Sequence, residues 1–184
     1  MTAQPHEALT KAEFPAWELR QLCKHQFVNG HVYGFAGGTI EHNDIAAALI
    51  EKIRPAARPC RTYGSDMLIE MERSMRYADV VVTCDDRDRV RGGTTIRYPK
   101  LVVEVLSEST FKDDLGAKMG EYQSIESLEE YVLIDSRKRW AQLVRRQNAS
   151  WTLEPPVTGG KLEFRSVRVA IDLDELYAMA EIGP

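Results

Sequence analysis

Residues 98–110, YPKLVVEVLSEST, constrain the fold more than any other stretch, because Glu104 interrupts an otherwise apolar strand. Leu101, Val102, Val103, Val105 and Leu106 place β-formers on both sides of the pleat. That pattern belongs to a strand covered on both faces, deep within a sheet. A carboxylate there is costly to bury unless a metal or another cation pairs with it. Asp79 repeats the anomaly, standing directly before Val80, Val81 and Val82. Two acids on two buried strands read as a metal site first.

The 184 residues are expected to form one domain, 1–184, large enough for a substantial core. The hydrophobic fraction is 43% and no apolar run approaches a membrane span, so no membrane partner is expected. The opening MTAQPHEALTKAEF lacks the basic and apolar regions of a secretory signal. Cys23, Cys60 and Cys84 are odd in number and form no CxxC pair. They argue against a disulfide framework and a structural zinc, which makes the cytoplasm the expected compartment. A net charge of −4 does not itself suggest nucleic acid. Residues 54–100 and 136–168 are nevertheless rich in Lys and Arg, whereas 101–135 are acidic. Charge alone leaves the partner open.

No repeat or low-complexity linker divides the chain. Helical periodicity predicts a helix over 15–23, and Asn29-Gly30 between apolar pairs predicts a hairpin. A second helix is expected over 41–53, capped by Thr39 and stopped by Pro55, with His42, Ile45, Ala46, Leu49 and Ile53 on one face. Strands follow at 61–69, 76–84 and 100–106, with a polar loop over 85–97. A helix over 113–124 and strands at 131–135 and 140–146 come next. Residues 151–153 and 162–164 suggest another short pairing, before a final helical turn over 172–179. This order predicts an α/β protein with a mixed β-sheet flanked by helices.

Asp79 and Glu104 are 25 residues apart, the reach of one strand–loop–strand unit. Adjacent strands bring both carboxylates to one divalent ion. Hard oxygen ligands select Mg²⁺ or Mn²⁺, leaving other positions for water and phosphate. Such an ion polarises a phosphodiester and lowers the pKa of a bound water.

The arrangement resembles the PD-(D/E)XK nuclease superfamily and, more narrowly, the Uma-two family of restriction-endonuclease-like proteins. KHQFVNGHVYGFAGG is similar to the family's opening hairpin, EHNDIAAAL to its first core helix and CRTYGSDMLI to its first long strand. YADVVVTCD resembles the aspartate strand and YPKLVVEVLSEST the glutamate strand, with DDLGAKMGEY and LEEYVLID following. The resemblance implies a restriction-endonuclease-like fold and a Mg²⁺-dependent endonuclease acting on DNA. Asp79 and Glu104 are then the metal ligands. Leu106 stands where the superfamily usually carries its lysine, which the resemblance moves to the next helix as Lys118. It also gives His42 a place at the site. Ala78 replaces the proline of the family's Pro-Asp pair, and Gln26 and Asn29 replace a common Glu and Asp. Those neutral residues support an alternative: a catalytically inactive member that binds nucleic acid or a protein.

Each residue also has a structural reading. Lys118 is four residues after Asp114 and can form a surface helix pair with it. His42 can be a satisfied core or cap residue, and Tyr122 a packing residue. Ser107 and Thr110 suit strand exit and capping. Arg87, Arg89, Arg91 and Arg97 alternate with acids, as in a solvated loop. Cutting both strands of a duplex favours a two-fold homodimer, with Phe27, Val32, Tyr33 and Phe164 as candidate contacts.

Overall fold

An Asn-Gly turn organises the first part of the chain in the computed structural model, which describes residues 3–4, 9–34, 37–107 and 116–183. β1 (Ala3–Gln4) pairs with one arm of the hairpin β2 (His25–Val28) and β3 (His31–Gly34). Asn29 and Gly30 both have positive φ, 49° and 88°, the geometry whose twist suits a two-residue hairpin loop. Between β1 and β2, α1 (Phe14–Glu18) is shorter than its apolar pattern suggests and ends before Cys23. Its last residue, Glu18, is buried and accepts hydrogen bonds from His25 N at 2.7 Å and Tyr77 Oη at 3.1 Å. His25 Nδ1 lies 3.0 Å from its other oxygen. This carboxylate ties α1 to the hairpin floor.

α2 (Ile40–Ala56) opens on Thr39, whose hydroxyl accepts from His42 N at 3.3 Å. Pro55 falls inside its last turn, and the helix ends just beyond it rather than before it. Residues 61–69 and 76–84 do not form single strands. The first divides into β4 (Arg61–Tyr63) and β5 (Leu68–Glu70) around a turn at Gly64–Met67. The second divides into β6 (Ser74–Tyr77) and β7 (Val80–Thr83), broken at Ala78 and Asp79. β8 (Thr95–Ile96), β9 (Pro99–Leu106), α3 (Ala117–Gln123), β10 (Glu130–Asp135), β11 (Ala141–Gln147) and β12 (Ser150–Leu153) follow. The chain then forms β13 (Lys161–Phe164), β14 (Val169–Asp172) and α4 (Leu173–Met179).

The strands form two six-stranded mixed sheets. Their orders are β1-β3-β2-β6-β5-β8 and β12-β11-β10-β9-β7-β4, with β13-β14 as a separate ribbon. The predicted pairing of 151–153 with 162–164 is therefore wrong. β12 pairs with β11, and β13 turns back onto β14.

β9 and β10 lie at the centre of the second sheet and run parallel, with Leu133 opposite Glu104. Parallel neighbours need a crossover, and α3 lies on that connection. One face of this sheet packs on Ile45, Leu49 and Ile53 of α2, on β13–β14 and on α4. The other face packs on Tyr122, Ile125 and Leu128. Phe14, Phe27, Val32, Leu68, Met75 and Tyr77 form a third cluster beneath the hairpin. Phe27 and Val32 are thus core residues, as is Phe164, so these three do not supply a dimer contact.

Cys60 and Cys84 form a disulfide, contrary to the reading from cysteine number. The antiparallel pairing of Arg61 with Thr83 sets the flanking cysteines side by side, their Cα atoms 4.2 Å apart. An odd count leaves one thiol over, here Cys23, but says nothing about the other two. The bridge also removes the cysteine argument for a reducing compartment. No helix among the described residues is long and apolar enough to cross a membrane.

Candidate active site

β7 and β9 pair antiparallel, with Val80 opposite Val103 and Val81 opposite Val102. One step beyond, the same register sets Asp79 opposite Glu104. Glu104 lies inside β9 and is 2% exposed; Asp79 occupies the bend where the chain leaves one sheet for the other and is 8% exposed. The bend leaves β9 short of a ladder partner, and Asp79 supplies one: its Oδ2 accepts from Val105 N at 2.7 Å. His42 Nε2 lies 3.3 Å from the same oxygen. Gly38 makes room for that ring, since a Cβ there would come within 2.6 Å of His42 Nδ1.

Lys118 reaches Glu104. Its Nζ is 2.8 Å from Oε2, and the lysine is only 5% exposed. The crossover explains this contact: α3 returns across the sheet face and brings its buried side to β9. Tyr122, one turn along, is fully buried against Tyr131, with ring centroids 5.3 Å apart. Burial, and then the Glu104 carboxylate, holds its phenol well above the usual range, so it stays neutral. Asp114 and Thr110 lie outside the described residues, and so does the expected Asp114–Lys118 pair. Ser107 is half-buried at the end of β9.

The sequence reading missed Arg76 and Glu121. Arg76 is 2% exposed on β6; its Nε and Nη2 clasp the two Glu121 oxygens at 2.8 and 2.9 Å, and its Nη1 reaches Gln26 Oε1 at 3.3 Å. Gln26 is therefore an acceptor in a buried network with Arg76. The available signal was Glu121 itself, three residues after Lys118 and on the same side of the helix. Three of the four arginines of the 85–97 loop have carboxylate partners. Arg87 pairs with Asp85 at 2.7 Å and covers the Tyr98 ring at 3.6 Å, Arg89 pairs with Asp86 at 2.7 Å, and Arg97 with Glu70 at 2.7 Å.

Among the described residues, no three His, Cys, Asp or Glu side chains gather as a complete metal cage. Two buried carboxylates on facing strands still suit a hard divalent ion, whose other positions go to water and phosphate. The donor set fits Mg²⁺ or Mn²⁺ held by Asp79 and Glu104.

A model of the Uma2 family, described as "Putative restriction endonuclease", matches residues 12–171. The chain belongs to the Uma2 family. This Uma2 protein is 32% identical over 178 residues to the uncharacterized protein slr1290 of Synechocystis sp., covering 94% of the chain and 93% of that protein. It is 30% identical over 140 residues to the uncharacterized protein sll1609 of the same organism, covering 73% and 79% respectively. Its fold matches the crystal structure of "a putative nuclease belonging to DUF820" from Anabaena variabilis. That match has a TM-score of 0.70 at 14% identity and covers 94% of this chain and 99% of the other. The Uma2 match spans Gln26, His42, Arg76, Asp79, Glu104, Lys118 and Glu121.

Proposed function

We propose that this Uma2 protein is a Mg²⁺-dependent endonuclease that hydrolyses phosphodiester bonds of DNA and acts as a homodimer. Asp79 and Glu104 hold the ion, which when bound polarises the phosphodiester and acidifies a water. The observation that carries the reading is the buried contact between Lys118 and Glu104. A helix lysine facing solvent would gain little from such a place; one buried beside the acid pair puts a desolvated positive charge where phosphate oxygens gain negative charge during attack. His42 acts through Asp79, fixing the carboxylate that Val105 N also orients.

Cleavage of supercoiled plasmid and single-stranded DNA in Mg²⁺ tests the proposal, with Glu104→Gln as the blank. Wild type should exceed the blank on at least one substrate and lose activity on chelation. Wild type indistinguishable from the blank on both would reject it. The second reading, a non-catalytic nucleic-acid- or protein-binding member, is favoured by Gln26, a neutral amide tied to Arg76 where the family resemblance implies an acid. Binding without cleavage would select it.

A further inference from the structure

We infer that a cavity lined by Arg54, Arg58, Arg61 and Arg89 binds the sugar–phosphate backbone of a nucleic-acid strand leading to Asp79. The inference deepens the nuclease reading and rests on it for the choice of ligand. The cavity encloses about 670 Å³ and has no Asp or Glu in its lining. In a chain of net charge −4, four arginines around one cavity, with Arg89 paired to Asp86, make a local reversal of sign.

Each arginine arrives from a separate local cause. Arg54 lies in the last turn of α2, Arg58 follows that helix, and Arg61 opens β4. Arg89 comes from the loop after β7 and is held there by Pro59 O at 2.9 Å and Asp86 at 2.7 Å. Arg54, Arg58 and Arg61 are exposed, and among the described residues none has a carboxylate partner. Forked planar donors of this kind match phosphate oxygens and read no base edge.

The position relative to the acids gives the site its direction. β4 is the outer strand of its sheet and pairs Arg61 with Thr83 and Tyr63 with Val81. Tyr63 still lines the cavity, and a Cβ on the next residue, Gly64, would lie 3.9 Å from the Asp79 carbonyl oxygen. At about 3.3 Å per residue, β4 advances roughly 10 Å from Arg61 to Gly64. That is the axial rise of about three nucleotides. β4 thus runs from the cavity toward the backbone of Asp79, the direction a bound strand would follow.

Fluorescence anisotropy with labelled single-stranded and duplex oligonucleotides tests this, using the full chain in EDTA so that binding is read without cleavage. Arg54→Gln/Arg58→Gln/Arg61→Gln should weaken binding about tenfold or more and flatten the log–log salt dependence by about two units. Arg58→Gln alone should flatten it by just under about one unit. Lys161→Gln/Arg165→Gln/Arg168→Gln removes equal charge from another surface and should leave the slope unchanged. Equal slopes for wild type and the cavity variants would overturn the inference. So would inorganic pyrophosphate binding that needs these arginines while oligonucleotide binding does not. Arginine-dependent binding by a protein that never cleaves would keep this site and remove only the nuclease reading.

Discussion

Arg76 holds Glu121 through both carboxylate oxygens, and this buried clasp joins β6 to the helix that delivers Lys118. The hairpin sheet thereby sets the position of a side chain acting on the other sheet. Glu121→Ala leaves the Arg76 guanidinium buried without its main counter-charge. It should cost about 3–5 kcal/mol in urea unfolding, whereas Arg76→Met/Glu121→Met should recover most of that. A single-variant cost below about 1 kcal/mol would show that the clasp does not order α3.

Lys118 shares Glu104 with any ion that binds there. Removing the lysine leaves a buried carboxylate that a divalent cation can satisfy instead. Lys118→Met should therefore be less stable than wild type in EDTA and gain more in thermal midpoint on adding Mn²⁺. Its cleavage rate should fall by about two or more powers of ten. Equal Mn²⁺ stabilisation of Lys118→Met and Glu104→Gln/Lys118→Met would place the ion elsewhere.

Alkaline pH should weaken the fold through its buried phenols. Burial, then Glu18, raises the Tyr77 phenol, and burial raises Tyr177 to about 12. Tyr122 is held above the usual range by burial and Glu104. An unfolded tyrosine ionises near pH 10, so above that value the native state binds more protons and stability falls as pH rises. For Tyr177 the loss spans about pH 10 to 12, where its hydroxyl otherwise donates to Asp135 O at 2.6 Å. Urea midpoints should decline across that window, less steeply in Tyr177→Phe. Parallel declines in the two proteins would acquit Tyr177.

The Cys60–Cys84 bridge closes a chain segment with a sequence separation of 24. A loop of that size implies about 3 kcal/mol of stabilisation in the chain-entropy account. Cys60→Ser/Cys84→Ser should show a corresponding loss, and reductant should lower the wild-type midpoint but not the variant's. A wild type indifferent to reductant would mean that the two thiols stay unbridged in solution.

The glutamate strand was legible because apolar residues on both pleat faces leave one reading, and Glu104 is the exception within it. The Asn29-Gly30 hairpin was legible because its turn demands residues that accept positive φ. The sheet changes inside 61–69 and 76–84 were not, because β-formers report extended backbone and not which neighbour accepts its hydrogen bonds. Gly64, Ser65 and Asp66 were turn signals of the right kind, outweighed by the β-formers around them. Arg76 went unread because its partner is 45 residues away on another element. β13 was matched to β12 across a Pro- and Gly-rich stretch, while its partner lay beyond Arg168, a non-glycine residue at φ 58°. Asp79 and Glu104 were named from the residue pattern, and Lys118 and His42 from the family resemblance. The clasp that aims Lys118 was not.

The bend at Ala78 and Asp79 also determines where this chain tolerates changes in length. One residue inserted between Tyr77 and Val80 shifts the side-chain alternation by one step. The valines of β7 would then exchange the two packed faces of the sheet, or Asp79 would turn away from Glu104. The exposed residues 90–93 of the loop after Cys84 carry no such constraint, because they lie outside the ladder of β7 and β9. Insertions and deletions among relatives should collect in that loop and stop short of the two residues that carry the chain between sheets.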